Sequence, residues 1–422
     1  MTSSTRHRAT STVYGYPRQG ADRQLKKATE AYWAGRIGAD ALHSATRALR
    51  LQRLAELRTT GIGEIPSNDF SLYDHVLDTA WLLGAVPARH RDAVPDVDSA
   101  AGRLDRYFAM ARGTADVAPL EMTKWFDTNY HYLVPELGPD SVFVLDATKP
   151  VSEFREAREA GVITRPVVLG PVSFLLLAKA IPTHVPGFEP LALLDRVLAC
   201  YADLLHELCD AGAEWVQLDE PALVCDQPPA VLAHVERAYR ALTAETARPK
   251  ILVASYFDRL GDALPVLAGT PVEGLALDFT GPAAANLDAL AAIGGLPGKR
   301  LVAGVVDGRN VWRTDLTCAL GTWPRCSGWP SASTSPRPAR CCTFRSTSPW
   351  SVTSTRRSRP GLPSPGRSWT NSSSSRGAGA TGATGSPVSC RSTRRGPRRV
   401  PRRRSSGSTR CGNGSQPSPT PT

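Results

Sequence analysis

The stretch ALLDRVLACYADLLHELCDAGAEWVQLDE, residues 192–220, decides the fold class. Residues 192–212 repeat apolar side chains at steps of three and four and end at a glycine, which predicts an amphipathic helix. Within the EWVQLDE that follows, WVQL is a short, mostly apolar run, as in strands buried on both faces of a parallel sheet. A helix that leads directly into a buried strand indicates an α/β fold, in which the polar end of the strand faces the ligand.

The same alternation of helix and strand continues on both sides of this stretch. Seven strands are predicted, most of them separated by Ala- and Leu-rich helical segments: TVYGYPR, KWFDTNYHYLV, RPVVLGPVSFLLL, EWVQLDEPALV, ILVASYF, VEGLALDF and RLVAGVVDG. No GxGxxG motif follows the first strand and no GxxxxGK[ST] motif occurs, so the fingerprints of nucleotide-binding folds are missing. The predicted fold is therefore α/β, an incomplete (β/α)8 TIM-like barrel that lacks one strand, and an open doubly wound sheet is the alternative.

Three helices are predicted near the start of the chain. Residues 21–37 and 38–61 show helical spacing with glycines between them, which indicates an added helical hairpin on the surface. Residues 67–87, SNDFSLYDHVLDTAWLLGAVP, predict a third helix, with Ser67, Asn68 or Asp69 as its cap and Gly84 and Pro87 at its end.

Charge and cysteine divide the chain into two parts at about Thr317. The whole chain of 422 residues has a net charge of +11, but the residues from Thr322 onward hold 18 arginines and no Lys, Asp or Glu. Subtracting those 18 charges leaves −7 for residues 1–321, which is ordinary for a globular protein. Six of the nine cysteines also follow the junction, and the three before it have no metal-ligand spacing. With no secretory leader and no apolar run of membrane length, a reduced, cytoplasmic protein that does not enter a membrane is predicted.

Two polar segments are candidates for binding. GYPRQGADRQLKKA, residues 15–28, places four cations around a strand-to-helix turn, which favours an anion, although a solvated basic helix start is the plainer interpretation. EMTKWFDTNYHYLVPE, residues 121–136, combines aromatic, amide and charged groups that suit a flat heterocycle, and the alternative is a half-exposed strand with satisfied polar groups.

Two strand ends carry further polar residues. In QLDEPAL, Asp219 and Glu220 suit a metal, a substrate amine or a basic side chain, and a structural ion pair explains them equally well. Past the seventh predicted strand, DGRNVWRTD places a similar group: Asp307, Arg309, Asn310 and Arg313.

Long strings of this sequence resemble the amino-terminal half of the cobalamin-independent methionine synthase family, the 5-methyltetrahydropteroyltriglutamate–homocysteine methyltransferases. The strings span Tyr14 to Leu316 and read GYPRxGxxRxLKKAxExYWAG, IPSNDFSxYDHVLDTAxLLGxVP, YFAMARG, LEMTKWFDTNYHYLVPEL, RPVxLGPVSFLLL, AEWVQLDEPAL and VVDGRNVWRTDL. The resemblance implies an enzyme of two barrels that transfers a methyl group from a folate polyglutamate to homocysteine. It further implies that the zinc and homocysteine sites lie in a carboxy-terminal barrel outside this chain, and that the chain is a monomer without specific nucleic-acid partners.

The resemblance also assigns candidate residues for 5-methyltetrahydropteroyltriglutamate. They are Asp22, Arg23, Gln24, Leu25 and Lys26 in the first loop, with Lys124 and Asn129 in the aromatic segment. No catalytic residue and no metal ligand is expected in this chain. The expected organisation is a disordered segment at 1–13, the folate-binding barrel without its last strand at 14–317, and a disordered Arg/Ser/Pro-rich tail at 318–422.

The resemblance ends at Thr317, and the composition beyond it suggests a reading-frame shift. After Gly321 the chain holds one leucine, Leu362, with no Ile and no Met, which is too little apolar surface for a packed core. Read one base earlier with mostly G- or C-ending codons, residues 323–332 become Leu-Ala-Ala-Leu-Leu-Gly-Val-Ala-Glu-Arg, a helical pattern. The same shift turns residues 331–345 into a peptide containing Val-Ser-Thr-Ser-Cys-Ser-Leu-Leu-His-Val-Pro, which resembles the missing eighth strand. A nucleic-acid-binding arm and a cysteine-rich secreted segment are the alternatives. Under the frameshift interpretation the chain is inactive alone and poorly stable, and a stand-alone folate polyglutamate-binding module is the alternative function.

Overall fold

The structure is a computed structural model that describes residues 10–182, 185–308, 312–327 and 341–343. Its strands are β1 Thr10–Ser11, β2 Ile65–Ser67, β3 Met122–Lys124, β4 His131–Leu133, β5 Glu136–Leu137, β6 Thr164–Leu169, β7 Lys179–Ala180, β8 Trp215–Asp219, β9 Lys250–Ala254, β10 Gly274–Asp278, β11 Arg300–Gly304 and β12 Cys341–Thr343.

The helices lie between and around these strands. They are α1 Gln24–Trp33, α2 Ala39–Thr59, α3 His75–Leu82, α4 Ala88–Ala93, α5 Ala100–Arg112, α6 Thr148–Glu159, α7 Pro171–Leu176, α8 Leu194–Asp210, α9 Pro229–Ala244, α10 Ala263–Gly269, α11 Ala285–Ala292 and α12 Leu316–Ser327. Short 3₁₀ turns occur at Pro190–Leu193, Pro221–Val224 and Gly281–Ala284.

A curled parallel sheet forms the centre of the fold. Its strand order is β1-β12-β11-β10-β9-β8-β6-β2, and every pair in it is parallel. A single parallel bridge between Thr12 and Glu64 joins the chain after β1 to the residue before β2, so the two edges of the sheet meet. This curled α/β arrangement confirms the predicted fold class.

The stretch around α8 and β8 folds as its pattern predicts. The buried side chains of α8 recur at steps of three and four, among them Val197, Tyr201, Leu204 and Leu208. Strand β8 is buried from Val216 to its end. The helical hairpin is likewise confirmed by α1 and α2, which pack on each other.

The predicted central strand at residues 124–134 is corrected by the structure. The segment KWFDTNYHYLV does not enter the central sheet. It forms an antiparallel hairpin of β3 and β4, which turns at Phe126 with a positive φ of 51°. Its place beside β6 belongs to β2, a three-residue strand whose Ser67 hydroxyl accepts a hydrogen bond from the Thr164 hydroxyl at 2.8 Å.

The third predicted helix begins later than expected. Residues 65–67 belong to β2, and Asn68 has a positive φ of 59° while its amide donates to the Val167 carbonyl oxygen at 2.8 Å. The helix instead starts after Asp74, whose carboxylate accepts from the backbone N–H groups of Val76 and Leu77. Its predicted end at Gly84 is confirmed by a positive φ of 65° there.

The ends of the barrel segment also differ from the expected boundaries. The sheet begins at Thr10 rather than at residue 14, because the Ser11 carbonyl oxygen accepts from the N–H groups of Gly63 and Glu64. At the other end, α12 runs on to Ser327, and β12 takes the eighth place between β11 and β1, where a gap was expected. The remaining residues of 1–13 and 318–422 lie outside the described ones.

Within the described residues, no helix has the length and apolar character needed to cross a membrane.

Candidate functional site

The first predicted segment forms an exposed loop that leads into α1. Asp22, Arg23 and Lys26 are exposed, and Gln24 is half-buried. Arg23 has a left-handed backbone conformation (φ 57°, ψ 40°) and precedes the first turn of α1 without a side-chain cap. The loop therefore presents cationic groups beside the start of a helix, which suits a carboxylate.

Buried residues hold this loop in place. Leu25 is 1% exposed and packs with Leu49 and Phe70. The buried Arg18 guanidinium donates to the carbonyl oxygens of Ser71 and Tyr73, so it connects the loop to the segment before α3. The Leu25 side chain therefore anchors the loop, and its assignment to the substrate stays a prediction.

The second predicted segment is the β3–β4 hairpin. Lys124 pairs with His131 across the hairpin, and both Lys124 and Asn129 are exposed. Trp125, between them in the chain, is fully buried. Its ring packs edge-on against His75 at 4.4 Å and Tyr132 at 5.6 Å between ring centroids, so the hairpin presents polar side chains from a rigid base.

The two predicted segments approach each other through Arg18 and Tyr130. Burial raises the pKa of the Tyr130 hydroxyl well above its usual value, and the nearby Arg18 guanidinium lowers that pKa in part. Arg18 lies four residues before Asp22, and Tyr130 directly follows Asn129. Arg18 and Tyr130 therefore bring the inner parts of the two predicted segments together.

The carboxylates at the end of β8 have different roles from those expected. Glu220 is fully buried and accepts hydrogen bonds from Val172 N–H (3.2 Å), Ser173 N–H (2.6 Å) and the Tyr239 hydroxyl (2.7 Å). Asp219 accepts from the Gln217 amide and, at 3.2 Å, from the Tyr256 hydroxyl. Uncharged donors thus satisfy both carboxyl groups. Neither Asp219 nor Glu220 forms an ion pair among the described residues.

The described residues do not fit a zinc ion. Within residues 10–182, 185–308, 312–327 and 341–343, no three His, Cys, Asp or Glu side chains are placed to hold a metal. The structure describes two of the four polar residues predicted past β11: Asp307 is half-buried and Arg313 is exposed. Arg309 and Asn310 lie outside the described residues.

A cavity of about 400 Å³ lies at the carboxyl ends of several central strands. Tyr14, Asn68, Leu169, Asp219 and Tyr256 line it from the ends of β1, β2, β6, β8 and β9. None of the seven residues assigned by resemblance lines this cavity. The sequence signal for it was weak, since it consists of polar residues inside the otherwise apolar pattern of α3.

Comparison with known proteins identifies the family. The model of the family described as "Cobalamin-independent synthase, N-terminal domain" matches residues 10–326. The chain is 65% identical over 312 residues to a 5-methyltetrahydropteroyltriglutamate–homocysteine methyltransferase of Streptomyces avermitilis, and 50% identical over 313 residues to one of Mycobacterium tuberculosis. Each match covers 74% of this chain and 40% of the relative, so the chain spans less than half the length of these proteins.

Solved structures share the fold. A putative vitamin-B12-independent methionine synthase from Listeria monocytogenes superimposes with a TM-score of 0.53 at 14% identity, over 79% of this chain and 91% of that one. A B12-independent methionine synthase from Shewanella, solved with selenomethionine, gives a TM-score of 0.53 at 15% identity, over 75% and 84% of the two chains. The chain belongs to the family of cobalamin-independent synthase amino-terminal domains.

Proposed function

We propose that this chain supplies the folate-holding half of a methyl transfer from 5-methyltetrahydropteroyltriglutamate to homocysteine. The observation that carries the proposal is the 65% identity over 312 residues to a methyltransferase of that name. The geometry is compatible with it, because Arg23, Lys26 and Lys124 are exposed cations on rigidly anchored segments. Exposed cations attract the carboxylates of a glutamate tail while losing little hydration.

The same proposal assigns the methyl-transfer chemistry to a part outside this chain. The chain spans 40% of the length of its relatives, and the described residues offer no zinc-binding set. We therefore expect the 422-residue chain to bind the folate in the cytoplasm but to form no methionine alone.

Binding and turnover measured in parallel test this assignment. Isothermal titration with 5-methyltetrahydropteroyltriglutamate should show binding that weakens with the monoglutamate, because fewer carboxylates meet the exposed cations. Methyl transfer from 5-methyltetrahydropteroyltriglutamate to homocysteine, measured as methionine formed with zinc present, should require a second chain that covers the remainder of the Streptomyces avermitilis relative. Methionine formed by the 422-residue chain alone would contradict the proposal, whereas folate binding without restored turnover would favour a stand-alone binding module.

A matched pair of variants tests the role of Lys26. Lys26 lies 3.6 Å from Glu30, and Arg240 on α9 pairs with Glu236 in a similar helical spacing, both in exposed positions. Lys26→Ala should weaken triglutamate binding about three- to tenfold, since one cation is lost from the anion surface. Arg240→Ala should leave binding unchanged, and an equal loss in both variants would indicate only a general charge effect.

We also propose that residues after about Thr317 are translated out of frame. Strand β12, Cys341–Thr343, lies at the point where the shifted reading places Leu-Leu-His. The shifted codon over Cys342 reads leucine whichever cysteine codons are used, because cysteine codons begin with TG and end in C or T. A buried leucine suits a central parallel strand.

Sequencing the gene across the codons for Asp315–Pro324 tests this second proposal. A one-base difference that restores the family's pattern would support it. An unaltered frame in independent isolates, combined with specific DNA binding that persists at moderate salt, would instead favour an evolved basic arm.

A further inference from the structure

The cavity at the carboxyl ends of the central strands is enclosed by helices on its outer side. Besides the strand ends, residues of α2, α3, α5 and α6 line it, including Thr46, His75, Leu104 and Ser152. Its volume of about 400 Å³ is that of a small-molecule site. Barrel enzymes place their sites at this end of the strands, so the position is the expected one for a ligand.

The ionisable lining of the cavity carries more carboxylates than cations. The carboxylates are Asp69, Asp78, Asp146, Glu153 and Asp219, and the cations are Arg50, Arg103 and Lys149. Each cation already has an acidic partner: Arg50 and Lys149 contact Glu153, and Arg103 contacts Asp146. Asp69, Asp78 and Asp146 likewise have cationic partners, and of the five carboxylates only Asp219 has no ion pair among the described residues. An anionic ligand would therefore have to break existing ion pairs, whereas a cation at Asp219 would not.

Two of the carboxylates retain capacity for a further donor. Asp78 accepts from the Tyr107 hydroxyl at 2.6 Å through one oxygen, and its other oxygen is buried without a hydrogen bond in the part of the chain that the structure describes. That second oxygen lies 3.4 Å from the Lys149 ammonium, whose hydrogen bond goes to Asn68 at 2.7 Å. Asp219, at the end of β8, accepts its hydrogen bonds from neutral donors.

The half-buried His75 adds two shielded ring nitrogens to the same cavity. Both of its ring nitrogens are shielded from solvent and have no hydrogen-bond partner among the described residues. Burial lowers the pKa of His75 to about 4, so the imidazole is neutral near pH 7 and offers one donor and one acceptor. Since a buried polar atom without a hydrogen-bond partner is unfavourable, the ring gains from a ligand that completes its hydrogen bonds.

The rest of the lining is apolar and aromatic. Phe70, Leu82, Leu104 and Val168 contribute aliphatic and aromatic surface, and Trp81 lies at the α3 wall. A purely polar ligand such as a metal ion or phosphate would leave this surface in contact with water, which is unfavourable.

We propose that this cavity binds a small organic amine, with its protonated nitrogen against Asp78 or Asp219, its apolar body against Phe70 and Leu104, and a hydrogen bond to His75. The site is distinct from the folate-binding surface at Lys26 and Lys124, and it does not depend on the function proposed there. The structure assigns the ligand by charge and shape: a monocation with an apolar body.

Three probes of one size and different charge test the proposal on the full chain. Calorimetric titration with 2-phenylethylamine should show binding, while 2-phenylethanol and 3-phenylpropanoate should bind at least about tenfold more weakly. Equal binding of all three probes, tighter binding of the carboxylate, or no binding of the amine at millimolar concentration would overturn the proposal.

Variants of residues in the cavity test whether the amine binds there. Asp78→Asn and His75→Leu should each weaken amine binding about tenfold, and His206→Leu on the outer helix α8 should have no effect. If either cavity variant fails to fold, ¹⁵N spectra of the histidine rings in the unmodified chain decide. Addition of the amine should shift the ring nitrogens of His75 and leave those of His206 in place, and the reverse pattern would contradict the assignment.

Discussion

At the scale of single residues, two carboxyl groups and two imidazoles change the pH dependence of the free energy of unfolding in opposite directions. Burial raises the pKa of Asp74 and of Asp219 to about 7 from an ordinary value of 3.8. Burial also lowers the pKa of His75 and of His90 to about 4 from 6.5. Between these values the folded chain holds protons on the two aspartates, and the unfolded chain holds them on the two histidines.

The two effects therefore oppose each other between about pH 4 and pH 6.5. Stability falls as pH rises where the folded state binds more protons, which is the case for Asp74 and Asp219 up to about pH 7. Stability rises with pH where the unfolded state binds more, which is the case for His75 and His90. Removing one of these groups should therefore make the contribution of the remaining groups visible in the pH dependence of the free energy of unfolding.

Asp219→Asn is the variant that removes one opposing group. Its amide oxygen can still accept from the Gln217 amide, and its NH2 group can donate to the Tyr256 hydroxyl oxygen in place of the original bond. Between pH 4.5 and 6.5 its free energy of unfolding should rise with pH more steeply than that of the parent, by up to about 1.4 kcal/mol per pH unit. Urea unfolding at several pH values measures this. Asp140→Asn, in an exposed turn, is the control, and parallel profiles for Asp219→Asn and the parent would contradict the prediction.

The roles of Asp219 and Glu220 show what can and what cannot be predicted from residue types alone. Their place at a strand end was predicted, and so was their nearness to a possible ligand site. Apart from the Gln217 amide on the same strand, their donors come from α7, α9 and the segment after β9, which lie far away in sequence. No local pattern carries that information, so an ion pair and a neutral hydrogen-bond network could not be distinguished beforehand.

At the scale of elements, the β6–α7 junction depends on a close approach of Glu220 to the backbone. The Gly170 N–H donates to the Asp219 carbonyl oxygen at 2.6 Å, and a Cβ at Gly170 would lie 2.2 Å from a carboxylate oxygen of Glu220. That carboxylate cannot move without losing the backbone donors of α7. The glycine is therefore required by space, although its φ of −69° is open to any residue.

Gly170→Ala should accordingly destabilise the fold. We expect a loss of about 2–4 kcal/mol, from overpacking together with weakened hydrogen bonds to Glu220. Gly269→Ala is the matched control, because no atom lies within 4 Å of a Cβ built there. Chemical denaturation measures both, and a loss of the same size in the two variants would refute the steric explanation.

Long elements were predicted well and short ones poorly. Helix α8 and strand β8 each present enough residues for their period to be clear. Strand β2 has three residues, one of them Pro66, and its position depends on pairing with β6 about 100 residues later. The sequence predicts one strand where the β3–β4 hairpin forms, because the turn at Phe126 lacks the glycine that usually marks a hairpin turn.

At the scale of the whole molecule, closure of the sheet joins segments from the two ends of the described chain. Strand β12 pairs with β11 at Leu301, Val302 and Ala303, and with β1 at Thr10 and Ser11. The sequence predicted that this place exists and that residues 14–317 do not fill it. It did not predict that Cys341–Thr343 would, since their composition has no strand pattern.

Two shortened chains test the contribution of β12 to the fold. A chain ending at Ser327 lacks β12, and a chain ending at Arg356 keeps it. Without β12 the backbone groups of β11 and β1 lose their partners, at about 0.5–1.5 kcal/mol for each hydrogen bond. The shorter chain should therefore unfold at lower urea concentration and associate more readily, because open strand edges pair between molecules. Urea midpoints and size-exclusion chromatography at several protein concentrations measure the two effects. Equal midpoints and equal elution of the two chains would show that the sheet does not depend on its eighth strand.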